Sequence, residues 1–273
     1  MATVLSGERH WREIAGRWDQ VGPPLRPSSQ DLAVYASTVE RRRRGRGLIL
    51  GVTPEIYRLP WPKGADLVAL DHTHHMIEAV WPGPRGRAIC ADWTAMPLTP
   101  ACRDVALCDG GLHLLSHPAE QRALVDELAR VLARDGLCAL RLFAPPPEPE
   151  TADVVLGDLL AGKVPNLNVL KLRLAMALQG SPAEGVELAS VWSALCGDRP
   201  DYEGLARRIG WEPDHLSAID SYRGSRNRYY FVTVDQVVDL FCVDPGGFET
   251  VAVEVPTYDL GERCPTLLLR RSN

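Results

Sequence analysis

Short runs of apolar residues recur along the first half of the chain, and they predict buried strands. Each run is five or six residues long and is apolar on both faces of an extended chain. Such strands are typical of a parallel sheet that helices cover on both sides. The runs are Gly47–Gly51, Asp66–Asp71, Ala88–Asp92 and Asp104–Asp109. The pattern therefore predicts an α/β fold.

The spacing of these runs agrees with crossover helices between parallel strands. Their end residues Gly51, Asp71, Asp92 and Asp109 are 20, 21 and 17 positions apart. Each interval can hold one helix and one strand. Because ligands gather at the carboxyl ends of the strands in an open α/β sheet, these end residues are candidate ligand contacts.

Later patterns predict the rest of the sheet. Helical spacing of apolar residues predicts a helix over Ala119–Ala133, with Gly136 as its stop and Leu137–Phe143 as a fifth strand. Two further strands are predicted at Val251–Val255 and Thr266–Arg270. Together these patterns predict a sheet of seven strands.

Composition narrows the possible classes of function. The 273 residues are 45% hydrophobic, which is enough for one sizeable core, and the net charge of −5 disfavours a protein that mainly binds nucleic-acid backbone. No apolar stretch reaches the ~20 residues of a membrane span, and the first residues lack the pattern of a signal peptide. We therefore expect a soluble cytoplasmic protein without a membrane partner.

The cysteines and histidines predict no metal site. Seven cysteines are scattered without a Cys-x-x-Cys pair, so buried free thiols are expected. His72, His74 and His75 lie close together in the sequence. Neighbouring helical positions point in different directions, however, and no cluster of carboxylates accompanies these histidines.

The residues at the strand ends match the parts of an adenine nucleoside. Gly51 lets the backbone approach a ligand closely, and Asp71 can accept both hydroxyls of a ribose. Asp92 offers an acceptor for an exocyclic amine, and Trp93 offers a flat apolar surface for a purine. The loop after Gly51 contains Pro54 and a carboxylate, which suit pyrophosphate poorly, so a dinucleotide or nucleotide-sugar enzyme is the weaker alternative.

At these positions the chain resembles the class I S-adenosylmethionine-dependent methyltransferases. The segment Leu48–Glu55 falls where that family carries an acidic residue and several glycines, of which this chain keeps Gly51. Asp71 falls on the family's ribose-binding acid, Asp92-Trp93 on its adenine-contacting pair and Asp109–Gly111 on the loop after its fourth strand.

The resemblance covers most of the chain, from about Gly47 to Phe143 and again from about Thr233 to Arg271. It implies an α/β, Rossmann-like seven-stranded methyltransferase sheet, with an N-terminal helical segment and a helical insertion after strand five. The implied segments are an N-terminal helical cap (1–46), an S-adenosylmethionine-binding core (47–150), a helical substrate lid (151–230) and a C-terminal completion of the core sheet (231–273).

The resemblance also implies a cofactor and a reaction. S-adenosylmethionine gives its methyl group to an oxygen, nitrogen or sulfur atom of a small-molecule acceptor by in-line displacement, and S-adenosylhomocysteine is the product. The implied cofactor-binding residues are Gly51, Val52, Thr53, Pro54, Asp71, His72, Met76, Asp92, Trp93, Asp109, Gly110 and Gly111. A non-catalytic S-adenosylmethionine-binding module and an RNA methyltransferase are the alternatives.

Further candidates concern the acceptor and the proton that it loses. His113 is the candidate general base, because it follows the fourth strand closely; a histidine packed at a helix start is the alternative. Arg141, in an apolar strand, is expected to pair with a carboxylate or to face the substrate. The candidate substrate-binding residues are Trp18, Tyr35, Arg141, Asn166 and Tyr229, of which Trp18 and Tyr35 also fit ordinary packing.

Overall fold

A seven-stranded mixed sheet lies at the centre of the computed structural model, which describes residues 10–42, 45–197, 201–243 and 247–272. The strands are β1 Arg46–Leu50, β2 Asp66–Asp71, β3 Ala88–Cys90, β4 Arg103–Asp109, β5 Leu132–Arg141, β6 Val186–Glu187, β7 Arg228–Tyr229, β8 Phe248–Glu254 and β9 Thr266–Arg271. The central sheet has the order β3-β2-β1-β4-β5-β9-β8, and β6 pairs with β7 in a separate ribbon.

The strand order confirms the predicted fold class. Strands β1 to β5 are parallel, and β9 runs antiparallel between β5 and β8. Strands β2 and β3 are added on one side of β1, and β4 and β5 are added on the other side. Leu50 at the end of β1 lies between Leu70 and Cys108 in register. The carboxyl ends of β1, β2 and β4 therefore meet at one edge, where such sheets bind ligands.

Helices cover both faces of the sheet, as the apolar runs predict. Leu48 and Leu50 belong to a core with helices on one face, while Ile49 belongs to a second core on the other. The α-helices are α1 10–16, α2 Ser29–Glu40, α3 Pro54–Tyr57, α4 His74–Val80, α5 Ala119–Val131, α6 Ala152–Leu160, α7 Leu167–Leu178, α8 Leu188–Cys196, α9 Tyr202–Ile209, α10 Pro213–Ser217 and α11 Val234–Cys242. Short 3-10 turns lie at Trp18–Gln20, Arg85–Arg87, Leu112–Leu114, Ala218–Tyr222 and Gly261–Arg263.

The boundary between α5 and β5 differs from the prediction. The helix ends at Val131, and β5 begins at Leu132 rather than at Leu137. Arg103 of β4 pairs with Leu132, whereas Val105 pairs with Leu137, so the intervening residues bulge out of the ladder. Asp135 takes the positive φ of 60° inside this bulge. Helical spacing does not reveal such a bulge, because it depends on pairing with β4.

The region after β5 folds around an apolar cluster of its own. Val155 of α6, Leu170 of α7 and Leu188 of α8 are fully buried in it, and Phe143 joins it from the end of β5. The division of the chain into four segments remains a prediction, and the first nine residues of its N-terminal cap lie outside the described residues. No described helix combines the length and apolarity that crossing a bilayer requires.

Candidate functional site

A cavity of about 150 Å³ opens at the carboxyl edge of the sheet. Its walls come from the strand ends, from the N-terminal segment and from the helices after β5. The predicted site residues in its lining are Trp18, Gly51, Val52, Thr53, Asp71, His72, Met76, Trp93, Asp109, Gly110, Gly111, His113 and Tyr229. The topology thus brings together most of the residues singled out from the sequence, while their roles remain predictions.

Gly51 begins the loop that follows β1. Its φ of +91° lies in the region that only glycine adopts without strain, and its N–H donates to the carbonyl of Leu70 at 2.7 Å. The loop then continues into α3, which begins at Pro54. The glycine therefore lets the chain turn sharply out of β1 and exposes backbone to the cavity.

Asp71 ends β2 with a buried carboxyl group that has no cationic counter-charge. It is 7% exposed, and one carboxylate oxygen accepts a hydrogen bond from the N–H of Thr73 at 2.8 Å. The His72 ring nitrogen is 3.9 Å away, and no Lys or Arg of the described chain forms an ion pair with Asp71. Burial raises the pKa of Asp71 to about 6. A buried acid of this kind fits a neutral donor of two hydrogen bonds, such as the hydroxyls of a ribose.

Trp93 forms part of the cavity floor in a fixed orientation. Its indole N–H donates to the carbonyl of Leu70 at 2.7 Å, which anchors the ring beside β2. Gly111 packs against the ring so closely that an added Cβ would lie 2.8 Å from it and 2.7 Å from the sulfur of Cys108. Glycine at 111 therefore permits the ring to occupy this position.

We expect Gly111→Ala to displace the Trp93 ring and to lower stability by about 1–3 kcal/mol, since overpacking a core costs that much. Thermal unfolding and tryptophan fluorescence would measure the two effects. Gly157→Ala in α6 is the control, because an added Cβ there meets no heavy atom within 4 Å. Equal melting temperatures for the two variants would contradict the expectation.

Asp92 does not line the cavity, although it was predicted to contact adenine. Its side chain is exposed, and one carboxylate oxygen accepts hydrogen bonds from the N–H and the hydroxyl of Thr94, both at 2.8 Å. The carboxylate therefore caps its own turn, which spacing along the sequence cannot distinguish from an orientation towards a ligand.

Arg141, predicted to bind substrate or to pair with a carboxylate, does the latter. Its fully buried guanidinium forms two hydrogen bonds with Asp109, at 2.6 and 2.9 Å. The hydroxyl of Tyr35 donates to the same carboxylate at 2.9 Å, and Tyr35 is also fully buried. Neither Arg141 nor Tyr35 is in the cavity lining, so the substrate-binding role proposed for them does not match their positions. Both oxygens of Asp109 are engaged, which leaves the backbone of its loop for a ligand.

His113 lies among aromatic rings. It is 7% exposed, with Tyr229 edge-on at 4.5 Å, Phe231 stacked at 5.5 Å and Phe143 at 5.1 Å between ring centroids. Burial, with a smaller contribution from Arg141, lowers its pKa to about 3. The imidazole is therefore neutral at pH 7, and its Nδ1 has no hydrogen-bond partner among the described residues. Such a weak base is better suited to positioning an acceptor than to holding a proton.

Tyr229 is held by a residue that the sequence analysis did not single out. The Nδ1 of His10 lies 3.1 Å from the carbonyl of Ser221, and its Nε2 lies 3.4 Å from the hydroxyl of Tyr229. Burial lowers the pKa of His10 to about 4, so it is neutral and accepts from Tyr229 while donating to Ser221. This link fixes the phenol at the cavity wall.

Two other predicted residues lie outside the lining. Pro54 is buried in the first turn of α3, and Asn166 caps α7, where its side-chain oxygen accepts from the N–H of Val169 at 3.0 Å. Several residues that line the cavity are not among the predicted site residues: Trp11, Ile14, Phe143, Asn168, Lys171 and Tyr222. Lys171 and Arg173 are two charges among the apolar residues of α7, and this pattern was the clearest available signal.

Comparison with known proteins identifies the domain at this edge of the sheet. The family model described as a methyltransferase domain matches residues 48–140, about a third of the chain, from β1 to β5. No curated protein matches the sequence. The matched segment contains Gly51, Asp71 and Trp93, which line the cavity.

Solved structures resemble almost the whole chain. A Rhodobacter sphaeroides protein, provisionally described as one of the Zn-dependent alcohol dehydrogenases, is 15% identical, with 97% of this chain and 98% of its own covered and a TM-score of 0.64. The N-methyltransferase NodS of Bradyrhizobium japonicum, in complex with S-adenosylhomocysteine, is 10% identical. The match covers 98% of this chain and 99% of NodS, with a TM-score of 0.53. The 1,6-didemethyltoxoflavin-N1-methyltransferase of Burkholderia thailandensis is 13% identical. The match covers 100% of this chain and 89% of that enzyme, with a TM-score of 0.53. At these identities the likeness is one of fold.

The family match, the strand order and the residues at the strand ends agree with one another. The matched segment provides β1 to β5, and β9 completes the sheet between β5 and β8. The buried acid at the end of β2 and the glycine after β1 both lie within the matched segment and border the cavity. The chain therefore contains a methyltransferase domain over residues 48–140, and its sheet has the Rossmann-like fold of the S-adenosylmethionine-dependent methyltransferases.

Proposed function

We propose that the protein methylates a small-molecule acceptor that binds in the cavity beside the cofactor. The observation that carries this proposal is the composition of the cavity wall. Strand ends supply Gly51 and Asp71 to this lining, α1 supplies Trp11, and the region after β5 supplies Tyr222 and Tyr229. An acceptor that fits this cavity is small, because the volume is only about 150 Å³.

The cofactor is expected to lie along the strand ends. Asp71 would accept the ribose hydroxyls, and Met76 and Trp93 would provide apolar surface for the adenine. When bound, S-adenosylmethionine supplies an electrophilic methyl group on a sulfonium. The protein's part is to align the acceptor with that methyl group and to exclude water. His113, as a neutral hydrogen-bonding group, and the Tyr229 phenol are the proposed positioning residues.

Two further observations favour a small acceptor over RNA. The net charge of −5 gives little attraction for a polyphosphate backbone. The Burkholderia neighbour, whose fold is similar, binds the small heteroaromatic compound 1,6-didemethyltoxoflavin. These observations support the proposal of a small acceptor.

Transfer of labelled methyl groups from S-adenosylmethionine into a cell extract tests this proposal. We expect the label to enter compounds that pass a filter of low molecular-mass cut-off, in an amount that Tyr229→Phe reduces. Label that enters RNA and disappears on ribonuclease treatment would favour an RNA methyltransferase instead. Binding of S-adenosylhomocysteine without transfer to any fraction would favour a binding module.

The affinity for S-adenosylhomocysteine should depend on pH through Asp71. The carboxylate form accepts the ribose hydroxyls, and the pKa of about 6 means that about one molecule in ten is ionised at pH 5. We therefore expect binding to be about tenfold weaker at pH 5 than at pH 7.5, as measured by titration calorimetry. Asp71→Asn should remove most of this dependence; an equal dependence in the variant would assign it to another group, such as His72.

A further inference from the structure

A second cavity, of about 360 Å³, adjoins the one at the strand ends. It lies between the N-terminal segment, the start of α7 and α10, and it shares Ile14, Val21, Asn168 and Lys171 with the first cavity. The two spaces therefore meet at these four side chains. Lys171 borders both cavities, so a ligand in either can contact it.

Lys171 is a buried cation without an acidic partner in the described chain. It is 9% exposed, its Nζ donates to the carbonyl of Ala218 at 3.3 Å, and it lies 5.0 Å from the ring centroid of Tyr222. Burial lowers its pKa to about 8, and the positive charge of Arg17 lowers the pKa further in the same direction. The nearby His10 is neutral, because its own pKa is about 4. Nothing among these groups balances the ammonium charge.

Arg173, two residues further along α7, differs from Lys171 in having acidic partners. It is equally buried, but it forms ion pairs with Glu150 at 2.6 Å and with Asp158 at 2.7 Å. The protein thus provides carboxylates for one buried cation of this helix and none for the other. Because an unpaired buried charge is costly, the partner of Lys171 is expected to come from a ligand.

The surroundings of Lys171 indicate the shape of that ligand. Rings line the neighbouring wall: Tyr222 and Tyr229 meet edge to face at 6.3 Å, and His113 lies 4.5 Å from Tyr229. Such walls favour a flat ring that can stack or meet them edge-on. The lysine at their border can bind an anionic group attached to the ring.

We propose that the methyl acceptor is a ring compound with a carboxylate, and that Lys171 binds this carboxylate where the two cavities meet. This inference rests on the proposed function, since it specifies the acceptor of the same site. The ring lies against Tyr222 and Tyr229, with its nucleophilic atom towards the strand ends.

Titration calorimetry of the protein saturated with S-adenosylhomocysteine tests the proposal with paired probes. Benzoate, nicotinate and indole-3-acetate would each be compared with the corresponding neutral amide. We expect at least one carboxylate to bind tenfold or more tightly than its amide, and Lys171→Met to remove that preference without changing the affinity for S-adenosylhomocysteine. Lys163→Met, which removes an exposed lysine of the same region, should retain both affinities.

A second measurement does not depend on a variant. The chain has three lysines, Lys63, Lys163 and Lys171, so incorporation of ¹³Cε-lysine gives three resonances whose titrations can be followed separately. The carboxylate that binds should raise the titration midpoint of Lys171 alone. Equal binding of acids and amides, binding of neither, or an unchanged Lys171 midpoint would overturn the proposal. Failure to bind S-adenosylhomocysteine would instead overturn the proposed function.

Discussion

The Asp71→Asn variant should bind S-adenosylhomocysteine roughly 100-fold more weakly than the wild type at pH 7.5. Two hydrogen bonds from ribose hydroxyls to a carboxylate contribute about 1.5–3 kcal/mol each, and an amide replaces only part of this. A loss of about 2.7 kcal/mol corresponds to the 100-fold change in the dissociation constant. Titration calorimetry would measure it.

The free Asp71→Asn variant should nevertheless be no less stable than the wild type. The pKa of Asp71 is raised by burial, so this carboxyl favours the folded state when protonated, and that stability is lost as the pH rises through about 6. At pH 7.5 the variant removes a buried charge while the acceptor for the Thr73 N–H remains. Glu78→Gln, which changes an exposed acid of α4, is the matched control and should bind normally. A less than threefold loss of affinity in Asp71→Asn would contradict the role of Asp71.

Arg141→Met should lower the melting temperature by about 8–15 °C. The substitution leaves the carboxylate of Asp109 buried without its cation, and breaking a buried ion pair costs about 3–5 kcal/mol. In a chain of this size, each kcal/mol corresponds to about 2–4 °C. The loop of Gly110 follows directly on Asp109, so binding of S-adenosylhomocysteine should weaken as well. Differential scanning calorimetry would measure the stability.

The double variant Arg141→Met with Asp109→Asn separates a charge effect from a packing effect. It removes the unpaired carboxylate and should recover part of the lost stability, because the penalty of Arg141→Met comes mainly from the charge that is left behind. Arg270→Met, which removes a half-exposed arginine of β9, is the control and should shift the melting temperature by less than 2 °C. If Arg141→Met also shifted the melting temperature by less than about 2 °C, the buried ion pair would contribute little to stability.

The sheet could be predicted from the sequence because its signals are local. Apolar runs that end at Gly51 and Asp71 identify individual strands, and the intervals between them identify the crossovers. The parallel pairing of these strands then brings their ends together without further information. The bulge before Leu137 escaped prediction, because it depends on how β5 pairs with its neighbour.

The orientation of individual side chains could not be predicted in the same way. Asp92 and Asp109 both follow a strand, yet one bonds to its own turn and the other to a buried arginine. The partners of Asp109, which are Arg141 and Tyr35, come from distant parts of the sequence. Likewise, the apolar neighbours of Lys171 mark it in the sequence, but they do not reveal that two cavities border it together with residues of the N-terminal segment.

The local environments divide the charged residues of the site into two groups. Asp109 is neutralised by Arg141 within the protein, so this pair holds the loop before Gly110 in place. Asp71 and Lys171 have no such partner among the described residues, and each borders a cavity. We infer that the pair of Asp109 and Arg141 maintains the architecture. Asp71 and Lys171 are instead inferred to bind complementary groups of the cofactor and of the acceptor.

A crystal structure of the protein with S-adenosylhomocysteine tests the central claim most directly. We expect both ribose hydroxyls to lie within hydrogen-bond distance of the Asp71 carboxylate, with the adenine between Met76 and Trp93. A nucleoside bound in another cavity, or a ribose held by other residues with Asp71 turned away from it, would contradict the account.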